Sequence, residues 1–401
     1  MRVARARRAA MVAPMSAAGL SPLRYAIAGM ISMAVAMGIG RFVYTPILPG
    51  MMDGLGLTAS DAGLIASSNF AGYLIGAILG AGAWGQGRER AITLGALAAS
   101  AVLAASMGAT ENLAAFLVIR FLAGVTSAFV MVFMSTIVFS HLAAADRGQL
   151  QALHFGGVGV GIAVSALMTG ALFLAGAAWP AGWLWSGAVS AAGFLAVLAM
   201  IRSGPVSAGA AAREPPMPKS PSLTRIIAAY GIFGLGYIVT ATFLVAIVRE
   251  GEASRLFESG VWLATGLAGA PSVWLWNKVA RKIGLTAAFA AGCIVEAVGV
   301  VASVSLGGHA GPLLGGVLLG GTFIAITALG LQAGRLLAEE APRRALALMT
   351  ASFGLGQILG PIAAGTLADW SGSFFLPSLG AAAALLVAGA IAYGADARRP
   401  S

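Results

Sequence analysis

A chain of 401 residues that is 59% hydrophobic and only 9% charged cannot bury so much apolar surface in a water-soluble fold, where charged residues run at about 25% and apolar ones at about 45–50%. Lipid is therefore the solvent, and the fold class is all-α, because each spanning segment must satisfy its own backbone groups. The net charge of +10 would suit a nucleic-acid binder in water; here it sits in loops between apolar runs and sets membrane orientation instead, so no nucleic-acid partner is expected.

Residues 1–23 hold Arg2, Arg5, Arg7 and Arg8 among small residues. No apolar core follows before Pro14, so the segment reads as a cytoplasmic tail rather than a signal peptide. Twelve apolar stretches follow, near 24–48, 60–83, 91–110, 113–139, 150–177, 182–201, 224–248, 257–277, 284–306, 311–334, 345–368 and 373–394. Each approaches the ~20 residues a spanning helix needs. A Pro-, Ala- and Ser-rich segment, 202–222, interrupts them and reads as a cytoplasmic linker between an N-terminal bundle, 24–201, and a C-terminal bundle, 223–395, with a short tail at 396–401. With the N-terminus inside, nearly every Lys and Arg falls on the cytoplasmic side. Only Arg249 and Arg255 lie outside, and Arg41 and Arg120 lie within spans. That bias puts both termini in the cytoplasm of a multi-pass bacterial inner-membrane protein.

The first stretch carries Gly38-Ile39-Gly40-Arg41-Phe42-Val43-Tyr44-Thr45-Pro46. Arg41 falls about two-thirds of the way across the bilayer at a rise of roughly 1.5 Å per residue. A charge so deep faces a protein interior or a watery cavity, or else it snorkels outward or pairs with Asp53 or Asp61. Arg120, in the fourth stretch, is a second deep cation, suited to a cavity or to the carbonyls of a neighbouring helix. Phe42, Tyr44, Thr45, Asn69, Tyr73, Tyr237, Thr322 and Gln357 are candidate lining residues, with packing as the alternative for each.

Glu296 sits midway along the ninth stretch. A carboxyl in hydrocarbon favours its neutral form and is a candidate proton carrier, or a neutral acid bonded to a neighbour. His154, at the start of the fifth, titrates in a suitable range and is the second proton-coupling candidate; the alternative is an interface residue. Trp179, Trp183 and Trp185 suit an aromatic belt. The lone Cys293 excludes an intramolecular disulfide, and no metal or cofactor pattern is present.

The halves repeat one another. Gly38-Ile39-Gly40-Arg41 matches Gly234-Leu235-Gly236-Tyr237, and Phe155-Gly156 matches Phe353-Gly354. Gly80 to Arg90, with Gly87 and Arg88, and the segment Asn277-Lys278 to Arg281-Lys282 both resemble the cytoplasmic loop signature of the major facilitator superfamily, G-x-L-A-D-R-x-G-R-R. Trp84-Gly85 and Asn277-Lys278 stand where the family has Asp-Arg. Arg120-x3-Gly124 resembles its membrane-embedded signature, associated there with proton coupling. The opening GIGRFVYTPILPGM, with Gly321-Thr322-Phe323 and Gly356-Gln357-Ile358-Leu359-Gly360-Pro361, is similar to the YbfB/YjiJ-type branch of bacterial facilitators.

The resemblance covers nearly all of 22–395. It implies a secondary transporter with twelve helices in two pseudo-symmetric bundles, alternating access at a central site, and no enzymatic activity. The expected partners are a small solute, with a lean to an organic anion, the bilayer and protons, with a monomer as the working unit. A drug or sugar efflux carrier is the nearest alternative. A channel, a membrane enzyme or a non-transporting receptor is further off, since no filter segment, H-E-x-x-H or G-x-S-x-G is present.

Overall fold

A computed structural model describes residues 21–202, 215–251 and 253–395. Most of the expected N-terminal tail, the centre of the linker and the C-terminal tail lie outside the described residues. Twelve long helices run through the rest, six in each half: α1 Pro22–Leu55, α2 Ala59–Gly80, α3 Glu89–Met107, α4 Leu113–Ala144, α5 Gln151–Leu174 and α6 Trp179–Met200, then α7 Pro221–Glu250, α8 Arg255–Ile283, α9 Leu285–Ser305, α10 Ala310–Leu337, α11 Pro342–Ser371 and α12 Phe375–Tyr393. Eleven are long and apolar enough to cross a membrane by length and composition. The remaining one, α8, has the length but dilutes its apolar run with Glu258, Thr265, Ser272, Asn277 and Lys278.

Local chemistry sets the ends. Ser21, Asn112, Ser220 and Ser254 cap their helices through side-chain oxygens, and Thr58 with Asp61 forms a capping box at α2. Pro22, Pro221 and Pro342 occupy first positions, where a missing N–H costs nothing. Gly56 and Gly372 stop α1 and α11 in left-handed backbone. Helix α1 therefore runs seven residues past the boundary expected from hydropathy at 48.

Within it the ladder breaks. A π-helical turn covers Ala34–Ile39, a non-helical turn follows, and the α-helix resumes at Tyr44. Gly40 N and Phe42 N bond five residues back, to Val35 O at 2.8 Å and Met37 O at 3.2 Å, and Thr45 N bonds only three back, to Phe42 O. Pro46 and Pro49 supply no donors, and the bonds across the turn mix spacings, since Arg41 N and Val43 N still reach four back to Met37 O and Ile39 O.

Helices of one half meet those of the other along two seams. On α5 and α8, Gly159 lies against the backbone of Gly266 and Ala270, and a Cβ there would collide with it. On α2 and α11, Gly63 meets the carbonyl of Pro361 and Gly365 meets that of Ala59 in the same way. Small residues let backbones touch, which is how helices adhere where lipid supplies no hydrophobic drive. The outward faces carry apolar side chains such as Val102, Leu167 and Leu195, each about 60% exposed or more. Water would not tolerate such a surface; hydrocarbon does.

Candidate functional site

The odd- and even-numbered helices run in opposite directions. The basic loops therefore gather at one end of the bundle, called here the basic end; the ends of α1 and α7 mark the opposite end. A cavity of about 80 Å³ lies between the halves. Helices α1, α2, α4 and α5 supply one wall, including Met37, Arg41 and Tyr73. Helices α7, α10 and α11 supply the other, with Tyr237, Phe323 and Phe353.

The second wall is an aromatic column. Tyr237 stacks on Phe323 at 5.8 Å and on Phe353 at 5.6 Å, nearly parallel in both cases, and on Phe233 at 5.0 Å. Gln357 donates to the Tyr237 hydroxyl, which fixes the ring that closes the column. Phe42 meets Phe323 edge to face at 5.6 Å, joining the two walls.

Arg41 is 4% exposed. Its guanidinium carbon lies 4.4 Å from the Tyr73 ring centre, 4.8 Å from Phe70 and 5.6 Å from Phe42. Such contacts are worth about 0.5–2 kcal/mol each. Yet Nε and Nη2 have no hydrogen-bond partner. Both carboxylates that might have neutralised it are engaged elsewhere: Asp53 pairs with Arg249 at 2.6 Å, and Asp61 caps its own helix. Burial also excludes snorkelling. Arg41 is thus a desolvated cation with free donors beside a cavity.

Arg120 differs, and here the expectation of a cavity-facing residue is corrected. It is 2% exposed and donates through Nη1 to Gly40 O at 2.8 Å and through Nη2 to Arg41 O at 3.0 Å. The break in α1 frees those carbonyls, and the guanidinium fork spans them. Asn69 also leaves the cavity: it donates to Arg120 O at 2.9 Å, pinning α2 to α4. Tyr44 donates to Ala62 O at 2.9 Å with Arg120 near its ring, and Thr45 donates across the halves to Ala241 O at 2.6 Å.

Thr322 turns from the cavity toward α9, 2.9 Å from Glu296 Oε2. Glu296 is fully buried, and Oε1 lacks a partner. His154 is buried against Gly29, 3.0 Å from Ser135 Oγ and between Phe139 and Phe155. It belongs to the interior of the first half rather than to an interface. Phe323, Phe353 and Met37 were not singled out by sequence. Phe353 stood within the repeated Phe-Gly pair and Phe323 within the family-like Gly321-Thr322-Phe323 segment, which were the available signals.

At the opposite end the halves are latched. Asp369 of α11 accepts from the amides of Ala59 and Ser60 at 2.9 Å each, capping α2 from the other half. Arg249 of α7 grips Glu258 through two nitrogens, at 2.8 and 2.6 Å, and reaches Asp53 across the interface. Nearer the middle, Ser67 donates to Ile358 O at 2.7 Å. At the basic end, by contrast, the cavity meets a vestibule of about 590 Å³, sharing Phe155, Ala328 and Leu331 with it.

The loop-signature residues make no latch between the halves there. Gly80 ends α2, Gly87 takes a left-handed turn with its amide on Glu89, and Arg88 precedes α3. Arg90 donates to Ile201 O at 3.1 Å, inside its own half. Lys278 lies over Trp274 at 3.4 Å, and Lys282 is exposed. Asn277 and Arg281 line the vestibule. Among the described residues, no group of three His, Cys, Asp or Glu is placed to hold a metal ion.

Two six-helix halves around a central cavity can be set beside known proteins. Residues 33–393 match the family described as uncharacterised MFS-type transporter YbfB. The chain belongs to that family of the major facilitator superfamily. Its fold is similar to that of the nucleoside transporter NupG, with a TM-score of 0.73 at 14% identity over 92% of this chain and 99% of the other. It is also similar to a bacterial homologue of the human lysosomal transporter Spinster, solved in an inward-facing and occupied conformation, with a TM-score of 0.69 at 13% identity over 94% and 97%. No curated protein matches the sequence. As a facilitator, the chain is a multi-pass membrane transporter with its cavity at the centre of the fold.

In this facilitator Arg120 is a clamp on the turn that carries Arg41. Arg120→Ala strands two buried carbonyls, and the expected loss is about 3 kcal/mol of stability, read as a lower Tm in thermal unfolding. Arg120→Lys should recover part of it, since one ammonium cannot span both oxygens with the geometry of the fork. An unchanged Tm in Arg120→Ala would show that the clamp carries no weight.

Proposed function

We propose that the protein is a secondary transporter that moves a small organic anion across the bacterial inner membrane by alternating access, with Arg41 holding the negative group. One observation carries this reading: a buried arginine with two partnerless nitrogens faces a cavity built by both halves. Placing arginine at a helix centre costs about 2.5–3.5 kcal/mol. Cation–π contacts offset part of this, and a carboxylate bound in a fork would satisfy the donors that remain. The stacked wall of Tyr237, Phe323 and Phe353 suits a flat apolar body attached to that group.

Binding of candidate organic acids to purified protein, read by thermal shift, is the direct test. Arg41→Ala should clearly reduce the shift, and Arg41→Lys should weaken binding at this site by about tenfold or more, since a point charge replaces a fork. A wild-type shift in Arg41→Ala would remove Arg41 from the site.

The basic end is taken as cytoplasmic, with both termini there, because positive charge is retained inside. The structure is then inward-facing, open through the vestibule and closed at the latches. For Gln332→Cys, a membrane-impermeant maleimide should label the residue only after cells are opened. For His309→Cys, it should label the residue in intact cells. Labelling of position 332 in intact cells would reverse the orientation.

Glu296 is proposed as the proton carrier. Thr322 Oγ1 has one proton, yet Glu296 Oε2, Leu318 O and Leu319 O lie at 2.9, 2.6 and 3.1 Å. A protonated Glu296 resolves the competition: the carboxyl donates to Thr322, and Thr322 donates to Leu318 O. In liposomes, Glu296→Gln should keep solute exchange but lose accumulation driven by a pH gradient. Accumulation at the wild-type level would refute proton carriage by this residue.

A further inference from the structure

The vestibule at the basic end has a chemistry of its own. Arg281 of α8 lies four residues after Asn277, and Arg335 of α10 lies three after Gln332, so each pair shares a helix face. All four line the vestibule, and Gln332 reaches Asn277 at 3.5 Å, tying the two helices. Gln151 of α5 adds a third amide from the other half, and Phe139 and Phe155 supply aromatic surface. Among the described residues, no carboxylate lines this space. Among the described residues, neither Arg281 nor Arg335 takes part in an ion pair.

Size separates the vestibule from the deep cavity. A pocket for an organic ligand typically has about 300–1,000 Å³. The space beside Arg41, about 80 Å³, falls short of that, whereas the vestibule, about 590 Å³, does not. The two meet at Phe155, Ala328 and Leu331. Along α10, Arg335 lies twelve residues from Phe323 in the deep wall, roughly 18 Å by helical rise. A solute of ordinary size has ready room in the outer space, whereas the inner one must widen to admit it.

We propose that the vestibule is a second binding site, for organic oxyanions, in which Arg281 and Arg335 hold the charged group and the amides of Gln151, Asn277 and Gln332 its remaining oxygens. It serves as a loading station ahead of Arg41. Two arginines with low-dielectric walls on either side concentrate anions at the mouth, and their planar donors suit carboxylate, sulfonate or phosphate oxygens. The proposal rests on the organic-anion reading above, but it makes a separate claim about a separate pair of residues.

The test uses the full chain in nanodiscs of zwitterionic lipid, with 1-naphthoate as the probe and uncharged 1-naphthamide as its control. Binding is followed by equilibrium dialysis with the probe's own fluorescence. Wild-type protein should bind naphthoate at two sites and discriminate against the amide. The double variant Arg281→Gln/Arg335→Gln should lose about tenfold to a hundredfold in affinity at one site only. Its partner Arg281→Lys/Arg335→Lys, which keeps the charge, should retain part of it. Because both positions are exposed, the variants should elute as folded monodisperse protein.

Arg41→Ala should leave the vestibule site intact, so the two readings fail separately. Loss of all binding in Arg41→Ala, with wild-type stoichiometry in Arg281→Gln/Arg335→Gln, would overturn the vestibule and leave the deep site standing. So would equal binding of naphthoate and naphthamide by the wild type and the double variant, or no naphthoate binding at millimolar concentration. A parallel arm in nanodiscs containing phosphatidylglycerol separates the two sources of oxyanion. Naphthoate displaced by that lipid in Arg41→Ala, which keeps only the vestibule site, marks a headgroup as occupant of the same site. Undiminished binding marks a soluble anion.

Discussion

The organising constraint is a buried positive charge, Arg41, whose Nε and Nη2 find no hydrogen-bond partner among the described residues. Arg41 is held there by three aromatic rings and by the backbone turn on which it sits. That turn exists because α1 loses its regular ladder between Ala34 and Tyr44. The turn survives in a buried setting because Arg120 takes up its freed carbonyls. The second arginine is therefore structural in service of the first. Removing Arg120 leaves two buried carbonyls unsatisfied, which costs more in a low-dielectric interior than the same loss at a surface.

The walls around that charge are built from opposite materials. The seams between the halves at one end are glycine backbones in direct contact, and the cavity wall is a column of large rings. Small residues bring helices together where the bundle is shut, and bulky ones hold them apart where it must leave space. This arrangement places the solute-sized opening at the basic end.

Much of this was legible in the residues. Composition and spacing disclosed the membrane, the twelve spans and the pairing of the halves. The depth of Arg41 marked it. The division of labour between Arg41 and Arg120 was not legible. Both are lone arginines in apolar runs, and only the tertiary placement of two liberated carbonyls tells them apart. Likewise Thr45, Asn69 and Tyr44 have side chains suited to a solute, but each found a backbone carbonyl first. Hydropathy reports that a polar group is buried; it carries no information on which neighbour satisfies it. Asp369 lies just past the expected apolar stretch 345–368. Its partner amides are about 310 residues away in sequence, beyond the reach of any local pattern.

The latches at the opposite end differ from the glycine seams in what happens when they part. Asp369 and the two α2 amides, and the exposed Asp53 beside Arg249, exchange a protein partner for water when separated. Each exchange costs only about 0.5–1.5 kcal/mol net for an ordinary hydrogen bond, and an exposed ion pair costs less still. The latches therefore tie the halves only weakly. On the reading proposed above, a bound solute with a few kcal/mol of preference for one conformation would be enough to reverse the population.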